Sequence, residues 1–138
     1  MGGQIVDASI ISAPRQRMTD EERAIVRDGG IPKTWAAKPA RLAQKDRDAR
    51  WTLKRRRRKR GADGTLLAEI TTPMFGYKSH ISIDQRHGFI RTWLASNAAR
   101  YDGRELPGLL DPTNTGSAIW AEMAYRSQKN ECGILLVV

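Results

Sequence analysis

Two features of this chain could do chemistry. The first is a carboxylate among apolar neighbours: Asp7 follows Ile5 and Val6 and precedes Ala8, with Ile10 and Ile11 close behind. A carboxylate is costly to bury unless it is paired, hydrogen-bonded or bound to metal. Asp7 therefore reads either as a metal ligand or as a strand-end acid that accepts a hydrogen bond or faces water. The second feature is a run of seven cations: Lys54, Arg55, Arg56, Arg57, Arg58, Lys59 and Arg60. Arginine grips phosphate oxygens through a bidentate fork. A solvated loop has the same composition, but seven contiguous cations favour nucleic-acid contact. If all seven met phosphates, the log–log salt slope would reach about −6. Trp51 lies beside the run and could stack on a base. Core packing is the commoner use of Trp51, and of Trp35, Trp93 and Trp120.

Composition narrows the partner. The chain has 138 residues, with 24 Lys plus Arg against 15 Asp plus Glu, a formal charge of +9. That surplus points to a polyanion, nucleic acid first and an anionic membrane surface second. Hydrophobic residues at 40% and charged residues at 28% suit one globular domain. The lone Cys132 excludes an internal disulfide and suits a reducing cytoplasm. Cys132, His80 and His87 are too few for a closed structural zinc site. No run approaches the ~20 apolar residues of a membrane span. The N-terminus lacks a basic segment followed by a long apolar core, so it does not read as a signal peptide.

The elements that must position these residues follow from periodicity. Residues 4 to 13 read as a short buried strand. Thr19 and Glu22 have capping-box spacing, predicting a helix through Ile25 and Val26 that Asp28-Gly29-Gly30 and Pro32 stop. A second, polar helix is expected from about Ala40 to Trp51. Self-repulsion argues against a packed element over the seven cations, and residues 61 to 64 form a turn. Residues 75 to 84 alternate, with Tyr77, Ser79, Ile81 and Ile83 on one parity and Lys78, His80 and Ser82 on the other. A turn at Gln85 to Gly88 and a strand from Phe89 to Leu94 complete a hairpin, with His80 on its solvent side and His87 in its turn. A helix over Asp102 to Leu110 follows, with Asp102 as its N-cap. A buried strand spans Ser117 to Ala124, and a helix starts at Tyr125 and runs to about Leu136. This order gives an α/β fold with a mixed sheet.

Four blocks in order carry a resemblance: GGQIVDASIISAPRQR, QKDRDARWT, GYKSHISID and DPTNTGSAIWAEMAYRS. Together they resemble bacterial insertion-sequence transposases of the DDE class, over nearly the whole chain from Gly2 to about Glu131. The resemblance implies an RNase H-like mixed sheet flanked by helices, with a basic, partly helical insertion after the first strand. Residues 1–138 would then be a single partial catalytic domain, with residues 14–73 the insertion. It further implies metal-dependent cleavage and transfer of DNA strands. Two divalent cations, Mg²⁺ or Mn²⁺, serve such chemistry by activating the nucleophile and stabilising the leaving oxygen, and they need converging carboxylates.

Residue by residue, the family's first acid falls on Asp7. Its second falls on Glu122, where the family has Asp, and a carboxylate one methylene longer shifts the oxygens by about one bond. The third acid belongs well downstream, and the chain ends 16 residues after Glu122. Glu131 is a weaker stand-in. The implied partner is double-stranded DNA at element ends and target, in the bacterial cytoplasm, with no membrane and with self-association left open. Two other readings stand beside this one: a non-catalytic DNA-binding remnant of such an enzyme, and a small basic RNA-binding protein. Exposed apolar surface around Ile134 to Val138 is a further expectation.

Overall fold

A computed structural model gives the fold and describes residues 2–55, 64, 71–113, 118–131 and 136–137. It is an α/β arrangement in which short helices flank a mixed six-stranded sheet. The strands are β1 (Gln4–Ser12), β2 (Arg50–Arg55), β3 (Thr71–Asp84), β4 (Ile90–Asn97), β5 (Ile119–Ala121) and β6 (Leu136–Val137). The long β3 is the spine. Its first half pairs with β2 and its second half with β4, while β1 lies antiparallel to it through nine rungs, from Gln4↔Asp84 to Ser12↔Gly76. On its other edge β1 pairs in parallel with β5, which pairs in parallel with β6.

Several expectations hold. Strand β1 and the β3–β4 hairpin form where periodicity put them, and His87 lies in the turn. Helix α1 (Asp20–Arg27) begins in the expected capping box: Thr19 Oγ1 accepts from the Glu22 amide, and a Glu22 carboxylate oxygen accepts from the Thr19 amide. The other Glu22 oxygen accepts from Thr34 Oγ1 (2.8 Å) and Trp35 Nε1 (2.9 Å), tying α1 to α2 (Lys33–Ala36). These donors hold the Glu22 carboxyl below its ordinary pKa, the Thr34 hydroxyl most of all.

Other expectations are corrected. The helix over 40 to 51 shrinks to α3 (Pro39–Ala43), and Trp51 lies on β2. Asp46 causes the break. Its Oδ1 accepts from the Asp48 and Ala49 amides and from Tyr77 Oη at 2.6 Å, a turn the helix cannot accommodate. Burial, reinforced by the Asp46 carboxylate, pushes the Tyr77 hydroxyl up to about 12. Lys54 and Arg55, expected outside any packed element, end β2 opposite Thr72 and Thr71. Asp102 is not an N-cap. It begins a 3₁₀ turn (Asp102–Arg104) capped by Tyr101 and pairs with Lys78 at 2.7 Å. The strand expected over 117 to 124 is only Ile119–Ala121, and the helix expected from Tyr125 is only α5 (Gln128–Glu131), with Leu136 in β6.

The two sheet faces reverse the usual assignment. Residues paired across strands share a face. One face carries Gln4, Val6, Ala8, His80, Ser82, Asp84, Leu94, Ser96 and Ile119. Helix α4 (Leu106–Leu109) and the 3₁₀ turn Met123–Tyr125 cover it, through a core of Val6, Leu106, Leu109, Ile119 and Tyr125. The opposite face carries Ile5, Asp7, Ile11, Ile81, Ile83, Trp93 and Trp120, and much of it is open to solvent. The alternation in β3 is therefore real, but its polar parity points inward. Of the four tryptophans, Trp35 is fully buried, while Trp51 and Trp93 are exposed rather than core.

The polar interior is satisfied by pairing. His80 was expected on the solvent side and is fully buried. Its Nδ1 lies 3.1 Å from Tyr125 Oη and its Nε2 lies 2.9 Å from Ser96 Oγ. Gln4 Nε2 donates to Ser82 Oγ, and the buried Asp84 pairs with Arg91 at 3.3 Å. Buried polar groups with partners cost little, and they fix one arrangement of the strands.

Candidate functional site

Asp7 lies in the middle of β1 on the open sheet face, opposite Ile81 and with Trp93 beyond. Its side chain is exposed, so the cost of burying a carboxylate does not arise; Oδ1 accepts from the Ala8 amide at 2.8 Å. The β1–β5 register runs Ile5↔Trp120 and Val6↔Ala121. Asp7 and Glu122 are the residues that directly follow this last rung; Glu122 lies just after β5 with extended backbone (φ −64°, ψ 158°) and an exposed side chain. Adjacent parallel strands lie about 4.8 Å apart, so the ladder brings the two chain segments that carry these acids together at its end.

Both also act on Tyr125 behind them. Burial raises the Tyr125 hydroxyl first, and the charges of Asp102, Asp7, Glu122 and Glu105 raise it further. Asp102 and Glu105 are engaged with Lys78 and Arg100. Their pairing leaves Asp7 and Glu122 as the solvent-facing acids of this group. Among the described residues, no group of three or more His, Cys, Asp or Glu is placed to hold a metal ion. The Glu131 side chain lies outside the described residues. Two carboxylates fit part of the oxygen shell of one divalent cation, because Mg²⁺ is often held by one or two carboxylates with waters and phosphate oxygens completing it.

The cationic run falls only partly within the described residues. Lys54 is exposed at the end of β2 and the backbone of Arg55 pairs with Thr71; Arg56, Arg57, Arg58, Lys59 and Arg60 lie outside the described residues, as does the segment around Ile134. Among the described residues no helix is long and apolar enough to cross a membrane. Sequence reasoning missed two constellations, the His80–Ser96–Tyr125 network and a cavity beside Trp51. Both join residues far apart in the chain, so no local spacing signals them. No protein-family model, curated protein or solved structure matches this chain.

Proposed function

We propose that the chain is the catalytic part of a DDE-class transposase with an RNase H-like sheet. It binds double-stranded DNA through its basic insertion and holds a divalent cation, Mg²⁺ or Mn²⁺, at Asp7 and Glu122. The observation that carries this reading is the β1–β5 ladder, whose last rung, Val6↔Ala121, directly precedes in both strands the two acids to which the resemblance assigns the role. The sheet order supports it as well, with β1 between an antiparallel β3 and a parallel β5. When bound, the cation would activate the attacking oxygen and stabilise the leaving one. The chain's own groups orient it: Asp7 through the bond its carboxylate accepts from the Ala8 amide, and Glu122 through its fixed place after β5.

Spacing is compatible with one duplex contacting both regions. From Thr71, opposite Arg55, to Ile81, opposite Asp7, β3 spans about 30 Å at its rise per residue. That is close to one turn of B-DNA.

The test is strand cleavage of supercoiled plasmid in Mn²⁺ by the full chain and by Asp7→Asn. The expected result is metal-dependent nicking that falls roughly 100-fold or more in the variant. Equal nicking by both proteins would remove Asp7 from the chemistry. Retarded duplex with no nicking by either would return the chain to the non-catalytic DNA-binding reading.

A further inference from the structure

A cavity of about 350 Å³ lies between α1 and the β2–β3 ribbon. Trp51 and Phe75, opposite each other on β2 and β3, form one wall, with ring centroids 5.4 Å apart. Trp51 remains 49% exposed there, and the Arg15 guanidinium sits over its ring, 5.2 Å from the centroid. Arg23, Arg27 and Arg50 also line the cavity, as does Asp46, whose carboxylate is engaged by the Asp48 and Ala49 amides and Tyr77 Oη. Gln16 lines it from the segment after β1, and its Oε1 is buried without a hydrogen-bond donor among the described residues.

These are the parts of a site for a flat, partly polar ring carried on a polyanion. An aromatic wall offers stacking to any base, because every base has a π-face. The guanidiniums suit flanking phosphates, since arginine both forks onto phosphate and stacks on rings. The unsatisfied acceptor of Gln16 suits an N–H on a base edge, reached by a turn of its side chain. A paired base presents its Watson–Crick edge to its partner and its faces to the stack, so it can use neither the wall nor the acceptor.

We propose that this cavity binds an unpaired nucleobase of a DNA strand, stacked against Trp51 and read by Gln16. The inference rests on the nucleic-acid reading above and adds a strand-separated ligand to it. The site lies along β3 at Phe75, between the rungs of Lys54 and Arg55 and that of Asp7, so a bound strand would pass it on the way from one to the other.

The probe is a duplex bearing one unpaired 2-aminopurine, compared with the same duplex fully paired. Both are titrated with the full chain at one salt concentration. The expected result is about 10-fold tighter binding of the unpaired probe, with a fall in its emission as the base stacks. Trp51→Ala removes that preference and leaves affinity for the paired duplex within about two-fold. Trp51→Phe keeps most of the preference, and Gln16→Met weakens it. If the chain binds the paired duplex and shows no preference, or if Trp51→Ala keeps the preference, the base site is overturned and the DNA reading stands. If it binds neither duplex, both are overturned.

Discussion

Gly76→Ala is expected to destabilise the protein by about 3 kcal/mol or more, most of what a marginal domain has to lose. Gly76 is the point where four strands meet. It pairs with Ser12 at the end of β1 and with Arg50 at the start of β2, and its carbonyl accepts from the Ala98 amide just beyond β4. Its φ is +156°, and a Cβ there would lie 2.0 Å from the Ile11 carbonyl oxygen and 2.8 Å from the Ala13 amide nitrogen. Both are main-chain atoms of the β1 end, so no side-chain rotation relieves the clash. The methyl group fits only if β1 moves off β3, opening the ladder that also carries Asp7. Urea denaturation of the two proteins reads this directly, and the melting temperature should fall by about 10 °C. A midpoint shift worth less than about 1 kcal/mol would mean that the strands part easily at this point, and the close approach would then not be holding the sheet.

The second large effect concerns His80 and acid. Burial lowers the His80 pKa below its ordinary value; the charges of Asp102 and Glu105 oppose this without reversing it. The folded chain therefore binds a proton at His80 less readily than the unfolded chain. Its contribution is complete above about pH 6.5, where both states are neutral. It declines as the pH falls from there through the folded pKa. The urea midpoint is expected to drop steadily between about pH 7 and pH 5. A separate loss follows at lower pH, where Glu22, Asp46, Asp84 and Asp111, all with lowered pKa values, take up protons. His80→Ala should cost about 3–5 kcal/mol, because it opens a cavity and leaves the Tyr125 and Ser96 hydroxyls without their partner. His80→Gln keeps a polar group in place and should flatten the upper window alone. A wild-type midpoint unchanged from pH 7 to pH 5 would overturn the account.

The sequence shows most clearly what is decided locally. Thr19 and Glu22 specify the start of α1 with four residues, and the structure has both of their reciprocal hydrogen bonds. The alternation in β3 likewise locates a strand. Its inward face could not be read, because that choice depends on partners supplied from elsewhere: Ser96 from β4, Tyr125 from beyond β5 and Gln4 from β1. The stretch after Ala43 failed for a similar reason. Its helical appearance gave way to hydrogen bonds that Asp46 makes to two nearby amides and to Tyr77, 31 residues away. Asp7 was legible as an unusual carboxylate, and its neighbour only through resemblance. That both follow the last rung of the β1–β5 ladder is a matter of strand register, which a single sequence does not display.

The exchanged faces of the sheet carry a calorimetric consequence. Exposing apolar surface raises the heat capacity on unfolding, and exposing polar surface lowers it. This sheet keeps Gln4, His80, Ser82, Asp84 and Ser96 dry in the native state, while Ile11, Ile90 and Trp93 are already wet. Unfolding therefore releases less apolar and more polar surface than the strand composition suggests. The increment measured by scanning calorimetry should fall below the ordinary ~12–15 cal/mol/K per residue. With a small increment the stability curve is shallow, so cooling weakens the fold only slightly and its cold-denaturation temperature recedes further below freezing.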